Sequence, residues 1–575
     1  MNAGPDMKTP QQRMLQRKAA LWTDRSSYDS HAQDIADYLL PRSARFTATD
    51  RNNGVDSHYN SIIDETGTQA HSTLAAGLMA GMTSPARPWF RLATPDADLM
   101  EHAPVKIWLD KVTRKLLAIF GKSNTYRAFH SMYSQIGAFG VAGSVVVERF
   151  DTVLHHYPQV FGQYAIGLDQ WGNADTIYRT MSKTVGQLVE TFGVENCSQT
   201  VKNLYDRGQF DAAVEVLHGI EPRRNRDYAK RDSKNMRFKS CYLEIGRDND
   251  SKFLRESGFE DFPALCPRWE VDGDDTYSSR WPAATALGSI KQLQQEQLRK
   301  STAIDYQVDP PLVVPVAYKN ADFDRLPGGV IYAEMTQAGS GVRSAFEVNL
   351  DLQHLLMDIQ DVRARINGSM YVDLFRMISN DTRSGVTARE IAERHEEKLL
   401  MLGPVLERLI NEMLQPAVDM GFAKMMRAGL FAEGEGLEPP PELQGQNLDV
   451  EFVGVLAQAQ RAVGTGSIDR LVGTIGSLSM IKPEALDKLD GDQLVDVYAD
   501  LLGTDPSLIV ADDRVALIRQ NKAKQQQAAA LAQMAAPMKD AATAAKTISE
   551  TDPEGMQAAL GQFSGYGVPG AGGLR

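Results

Sequence analysis

The feature that most constrains this chain is one helical pattern running from Thr387 to about Met426. Apolar residues recur at Ile391, Leu399, Leu402, Leu406, Leu409, Met413 and Met420, the spacing of a single helix face. The run opens on Thr387-Ala388-Arg389-Glu390, where the Thr and Glu side chains can each satisfy the other's backbone N–H. At 1.5 Å per residue a continuous helix would be roughly 60 Å long, with kinks expected at Pro404 and Pro416. Kinked helices of that length are scarce in compact enzymes and common in elongated structural subunits.

The segments before it are expected to form a paired arrangement. A first helix over 283–304, with Leu287, Ile290 and Leu298 on a modest stripe, ends before Asp309-Pro310-Pro311. Two short β runs follow, Leu312-Val313-Val314 and Val330-Ile331-Tyr332, separated by a polar stretch that closes on Pro327-Gly328-Gly329. A second helix over 345–376 carries Phe346, Leu352, Leu355, Leu356, Ile359, Val362 and Ile366 at helical spacing. A polar loop containing Asn380, Asp381, Thr382, Arg383 and Ser384 then leads into the long helix.

The first half reads as mixed α+β. An Ala- and Leu-rich helix from Ser61 to Met82 is stopped by Ser84-Pro85, a short strand is expected at Trp89 to Leu92, and helix resumes from Pro104 to about Phe120. Ala128 to Val147 carries no Lys, Arg, Asp or Glu, but its apolar part is shorter than the ~20 residues of a membrane span. It reads as a buried helix running into a strand, and no membrane association is expected. Residues 143–270 hold β-type runs such as Ser144 to Val147 and Phe238 to Ile245, interrupted by a helix at Val185 to Phe192. Beyond Pro439-Pro440-Pro441, a strand at Leu448 to Val453 precedes helices over 455–520. Residues 523–548 are an Ala/Gln/Lys-rich helical extension, and a Gly-rich tail starts near Gly555.

Chemistry is harder to find. The chain has 575 residues and carries 74 acidic against 61 basic side chains, a net charge of −13, which argues against a broad nucleic-acid grip. Three widely spaced cysteines, Cys197, Cys241 and Cys266, suit neither a disulfide scaffold nor a zinc ribbon. Gly121-Lys122-Ser123 resembles the end of a phosphate-binding loop, but Leu116 stands where the first glycine belongs, so a helix C-cap is preferred. His395-Glu396 lacks its second histidine because position 399 is leucine, and His155-His156 point to opposite faces of a strand. No catalytic residue, metal site or cofactor is expected. Eight basic residues between Arg223 and Lys239, set against Asp227 and Asp232, read first as a solvated loop or a subunit contact, with a nucleic-acid patch as the alternative that no aromatic interleaving supports.

The stretch Leu74-Ala75-Ala76-Gly77-Leu78-Met79-Ala80-Gly81-Met82-Thr83-Ser84-Pro85-Ala86-Arg87-Pro88-Trp89-Phe90-Arg91-Leu92 resembles the signature of the head-to-tail connecting (portal) proteins of T7-like short-tailed bacteriophages. Asp175-Thr176-Ile177-Tyr178-Arg179, Val308 to Pro315 and Thr387-Ala388-Arg389-Glu390-Ile391 are similar to further family segments, in order. One departure is clear: Tyr277-Ser278-Ser279-Arg280-Trp281-Pro282 stands where the family has a Y-G-x-S-P-like turn.

The resemblance implies a dodecameric ring at one capsid vertex, through which double-stranded DNA is packaged and ejected. In that scheme 1–282 is the wing, 283–304 and 345–376 the two stem helices, 305–344 the clip, and 377–386 a channel loop touching DNA transiently. Residues 387–454 form the wing helix with its closing strand, 455–522 the crown, and 523–575 an extension that can form a barrel. Phe346, Leu352, Leu355, Leu356, Ile359 and Val362 are expected at the stem interface between copies, because one narrow stripe cannot build a monomeric core. Leu312, Val313, Val314, Val330, Ile331 and Tyr332 are expected to pair between neighbouring clips. Implied partners are capsid and scaffolding proteins, the terminase large subunit and tail adaptors, in a virion assembled from protein made in the host cytoplasm. A helical adaptor or scaffold that never closes into a ring is the alternative.

Overall fold

The computed structural model describes residues 9–45 and 62–308, apart from 42, 46, 97–98, 101, 231 and 247–251, together with 312–313, 343–344 and 353–380. It also describes 402–456, apart from 433–436, 444–447 and 455, and short stretches at 471–478, 482, 489–491, 493–495, 510 and 514–527. The chain divides into two units, Met1–Lys488 and Leu489–Arg575. In the second, residues 514–527 are helical and largely exposed.

The first unit is built around an Ala- and Gly-rich helix. Helix α1 (Pro10–Leu39) opens on a capping box between Thr9 and Gln12. Helix α2 (Thr66–Met82) buries Ala70, Leu74, Ala75 and Leu78. Its glycines let neighbours come close. A Cβ on Gly77 would overlap the ring of Phe375, and one on Gly81 would sit 2.6 Å from Leu456. Strand β1 (Phe90–Ala93) follows, then α3 (Ala103–Lys122) and α4 (Thr125–Phe139). Helix α4 ends on Gly140 in the left-handed conformation, where a side chain would meet Ser278 and Trp281. The expected buried helix running into a strand is therefore α4 followed by β2 (Ser144–Arg149).

Trp89 is the aromatic anchor of the core. It stacks on Phe120 and Phe452, with ring centroids 6.1 and 6.2 Å apart, and meets Phe129 edge-on.

Three strands, β3 (Val153–Pro158), β2 and β9 (Ala264–Leu265), pair in that order. Five more form an antiparallel meander, β4 (Tyr164–Leu168), β5 (Ala174–Thr184), β6 (Ala213–Pro222), β7 (Phe238–Glu244) and β8 (Arg255–Phe259). Helix α1 covers one face with Met14 and Leu21 against Tyr178, Leu217 and Cys241. Two short helices, α5 (Val185–Phe192) and α6 (Gln199–Asp206), pack through Val185, Leu188 and Val201 against Val214 and Val216.

Helix α7 spans Pro282–Val308, longer at both ends than the sequence predicts, and just before its start Trp281 is pinned by its indole N–H on Ala138 O at 2.8 Å. Strands β10 (Leu312–Val313) and β11 (Arg343–Ser344) pair antiparallel within the chain. One edge of Leu312 and Val313 is thus taken by Arg343 and Ser344 of the same chain. The partner expected nearby, Val330 to Tyr332, lies outside the described residues, as does Val314.

The second stem helix, expected in one piece, is two helices. Helix α8 (Gln353–Ser369) stops where Tyr371 takes a left-handed φ of 54°, and α9 (Val372–Asn380) sets off anew. The break lets Met370, Val372, Leu374 and Phe375 enter the core together. Helix continues through Asn380, so residues 377–380, expected to open the polar loop, are helical. Asp381 to the start of the long helix lies outside the described residues.

From 402 the long helix is α10 (402–409), then a π-helical turn at Ile410–Leu414, then α11 (Gln415–Arg427). Pro416 has no N–H to offer the carbonyl of Glu412, and just before it the π turn is closed by the Gln415 N–H on Ile410 O. Strand β12 (Asp449–Phe452) closes the unit by pairing antiparallel with β1, Phe90 opposite Phe452.

Candidate functional site

Two polar clasps hold the α7–α8 pair and the long helix to the rest of the unit. The first is the turn before α2. Gln294 of α7 accepts the backbone N–H groups of Ile63 and Asp64 at 2.7 and 2.9 Å and donates to Asp64 O at 2.9 Å. The Asp64 carboxylate accepts from Gln297 of α7 at 2.8 Å and from Arg363 of α8 at 2.6 Å. One buried carboxylate therefore ties both helices together at their root. Burial alone would raise its pKa, but hydrogen bonds from Thr66 and Arg363 outweigh that, and Asp64 titrates below the ordinary carboxylate value.

The second clasp is Arg268 with Glu412. The guanidinium and backbone N–H of Arg268 give Glu412 three hydrogen bonds, of 2.7, 3.3 and 2.9 Å, and Arg408 adds a fourth at 2.9 Å. Arg268 also donates to Gly172 O and Asp275 O. Glu412 sits in the π turn, so the extra residue there aims the carboxylate at the segment leading into α7.

The glycines of α2 serve the same purpose. Gly77 makes room for Phe375 on α9, the helix that carries the chain towards the polar loop, and Gly81 makes room for Leu456. The family-like stretch Leu74 to Met82 is thus the seat for Phe375 of α9 and for Leu456.

The residues singled out from sequence separate into three groups. Ile359 and Val362 are buried in the chain's own core with Ile366, which corrects their placement between copies. A side chain already covered by α2 and α7 has no surface left for a neighbour. Leu355 is half-buried against the same core, while Leu356 stays 43% exposed. Asn380 is the last residue of α9. Phe346, Leu352, Asp381, Thr382, Arg383 and Ser384 lie outside the described residues. Sequence reasoning missed Asp64 and Met357. The signal for Asp64 is Asp-Glu-Thr at a helix start, since Asp64 accepts from the Thr66 N–H at 2.9 Å.

The motifs that imitate catalytic sites resolve structurally. Gly121 lies inside the last turn of α3 and Ser123 is the C-cap, which corrects the glycine cap expected there. His156 is buried, with burial pushing its pKa down to about 3, while His155 faces the other side of β3. His218 and Ser240 are 2.9 Å apart and look like a base and its nucleophile. Arg179 Nε, however, donates to His218 Nδ1 at 3.0 Å. Arginine can only donate, so Nε2 carries the imidazole proton and Ser240 accepts it. This histidine cannot take a proton from that serine. Among the described residues no cluster of three metal-ligating side chains occurs. No described helix is long and apolar enough to cross a membrane.

The model of bacteriophage head to tail connecting proteins matches residues 11–510. The chain belongs to that family. It is 52% identical over 559 residues to the probable portal protein of Bordetella phage BPP-1, covering 97% of this chain and 99% of that one. To the portal protein of Salmonella phage epsilon15 it is 43% identical over 562 residues, covering 98% and 99%. Chains in solved gene transfer agent particles are also similar, one in a native virion (TM-score 0.33, 13% identity, 76% of this chain, 90% of that chain). Another is in an empty particle's neck (0.35, 11%, 76% and 94%). These scores are too low to bear on the fold. The family is a structural one, and this head-to-tail connector is a portal protein of the phage virion. The clasps at Asp64 and Arg268 are accordingly positioning devices for the helices of a portal subunit.

Proposed function

We propose that this connector works as a closed ring, twelve copies around a channel for double-stranded DNA, with the α7–α8 pair as the stem. In this reading the β10–β11 end is the clip that meets the terminase large subunit and later tail adaptors, while the wing faces capsid and scaffolding proteins. The loop beginning at Asp381 narrows the channel, and Arg383 makes transient phosphate contacts. The protein carries no catalysis and needs no cofactor.

The observation that carries the reading is the outer part of the stem. Leu298 is 57%, Met357 68% and Tyr306 50% exposed in a single chain, joined by Ile304 and Leu356. Several exposed apolar side chains on two paired helices call for a covering surface, and in this reading neighbouring stems in a ring supply it. Electron microscopy of the purified chain tests this. Rings with a central hole are expected; monomers or open chains of subunits would support the non-ring adaptor instead. In assembled particles Arg383→Ala should leave the ring intact and impair packaging or retention of DNA.

A further inference from the structure

A cyclic assembly joins two different surfaces of the same chain, and those surfaces must be complementary. The first unit carries such a pair. The connection from β6 to β7 is a basic arm in which Arg224, Lys234 and Arg237 are exposed and have no carboxylate partner among the described residues. The arm is a built feature. Arg223 and Arg226 pin it to Glu256 at 3.1 Å and Glu260 at 3.2 Å. Gly258 leaves space for it, since a Cβ there would collide with Ser233 O.

The opposite charge sits in the loop before α7. Asp272 and Asp274 are exposed there, with no cation partner among the described residues, while Glu270 is taken by Arg280. This loop is also braced. Arg268 holds Asp275 O and Gly172 O, and the Ser278 hydroxyl accepts the Trp269 N–H at 2.9 Å and donates to Gly140 O.

Sheet order places the two loops apart. The bond from Arg268 to Gly172 puts the acidic loop beside the β4–β5 turn, at one edge of the meander. The basic arm folds over β7 and β8 at the other edge. Both occupy the same end of the sheet, because β5 begins where β6 ends, Ile177 opposite Ile220. With strands about 4.8 Å apart, the separation within one chain is roughly 15 Å, too far for direct pairing.

We infer that Arg224, Lys234 and Arg237 of one copy dock on Asp272 and Asp274 of the next copy around the ring. The contact rests on the ring reading and assigns that reading's wing contact. It makes assembly salt-sensitive, because exposed charge pairs are screened.

The test uses the full-length chain, with subunit concentration at half-assembly read by mass photometry at low and high salt. Triple reversal (Arg224→Glu, Lys234→Glu, Arg237→Glu) and double reversal (Asp272→Lys, Asp274→Lys) should each raise that concentration by about tenfold or more at low salt. The chain carrying all five changes should return close to the parent value. Reversals that assemble like the parent, or a five-fold variant no better than either set alone, would overturn the contact while leaving rings intact. If the parent forms no ring at all, the ring reading fails first. Loss of duplex DNA binding in the triple variant, with assembly unaltered, would give the arm to nucleic acid and overturn the contact too.

Discussion

The two sets of apolar side chains on the α7–α8 pair have similar sequence character and opposite fates. Near the root, Leu287, Ile290 and Leu293 of α7 and Ile359, Val362 and Ile366 of α8 are buried in the chain's own core. On the same two helices, Leu298, Ile304 and Tyr306 further along α7, and Leu356 and Met357 within one turn of Ile359 on α8, are left exposed. Both sets are apolar side chains on polar helices. What differs is which of them α2 and α4 cover. Apolar spacing therefore identifies a face to be buried, and only tertiary placement says whether the chain or a neighbouring copy buries it.

The strongest way to break the contrast is to charge the root. Val362→Asp should cost several kcal/mol, because the new carboxylate is buried without a partner, and the chain should be recovered largely unfolded. Circular dichroism and solubility check this; a folded variant would mean the root is open to solvent.

Removing a clasp comes next. Glu412→Ala leaves the buried Arg268 guanidinium without its carboxylate, at an expected cost of roughly 3 kcal/mol. Urea unfolding should show the loss, and Arg268→Met with Glu412→Leu together should recover much of it.

Asp64→Asn is milder, about 1.5–2 kcal/mol near neutral pH, since it weakens charge-assisted bonds from Arg363 and Gln297. Its pH dependence has a definite sign. A carboxylate whose folded pKa is depressed stabilises the fold above its unfolded value, near 3.8, and that contribution fades as pH falls through the folded value. The gap between parent and variant should therefore be widest at neutral pH and close under acid conditions. A gap that stays constant down to low pH would remove Asp64 from the clasp.

The smallest effect on the single chain belongs to the exposed side chains of the α7–α8 pair. Leu298→Ser with Met357→Ser should change monomer stability by no more than about 0.5 kcal/mol per site, because both side chains already face solvent. Assembly should nevertheless fall. Matching losses in stability and assembly would place these side chains in a core.

Much of the local structure was legible in the sequence. Alternation, caps and prolines located α2, α5, β1 and β12 to within a few residues, as local signals do. The pairing of β1 with β12 was not legible, since Phe90 and Phe452 meet across more than three hundred residues and nothing local sets that register. Helix α6 was hidden inside a region that otherwise reads as strands. The glycines of Leu74 to Met82 carried a family resemblance without their reason, which lies in Phe375 and Leu456 far along the chain. Near Pro416, where a kink was expected, the helix holds a π turn, and the pairing of its Glu412 with Arg268 in another part of the fold has no local signal. Asp64 gave no periodic signal at all.

The central claim, that one helix pair is buried by its own chain at the root and by other copies further out, is tested most directly by thiol labelling. The three native cysteines are free and buried, so a maleimide reports on introduced sites. Met357→Cys should label rapidly in unassembled chain and become protected in assembled rings, whereas Ile366→Cys should be protected in both. Equal labelling of position 357 before and after assembly would contradict the account.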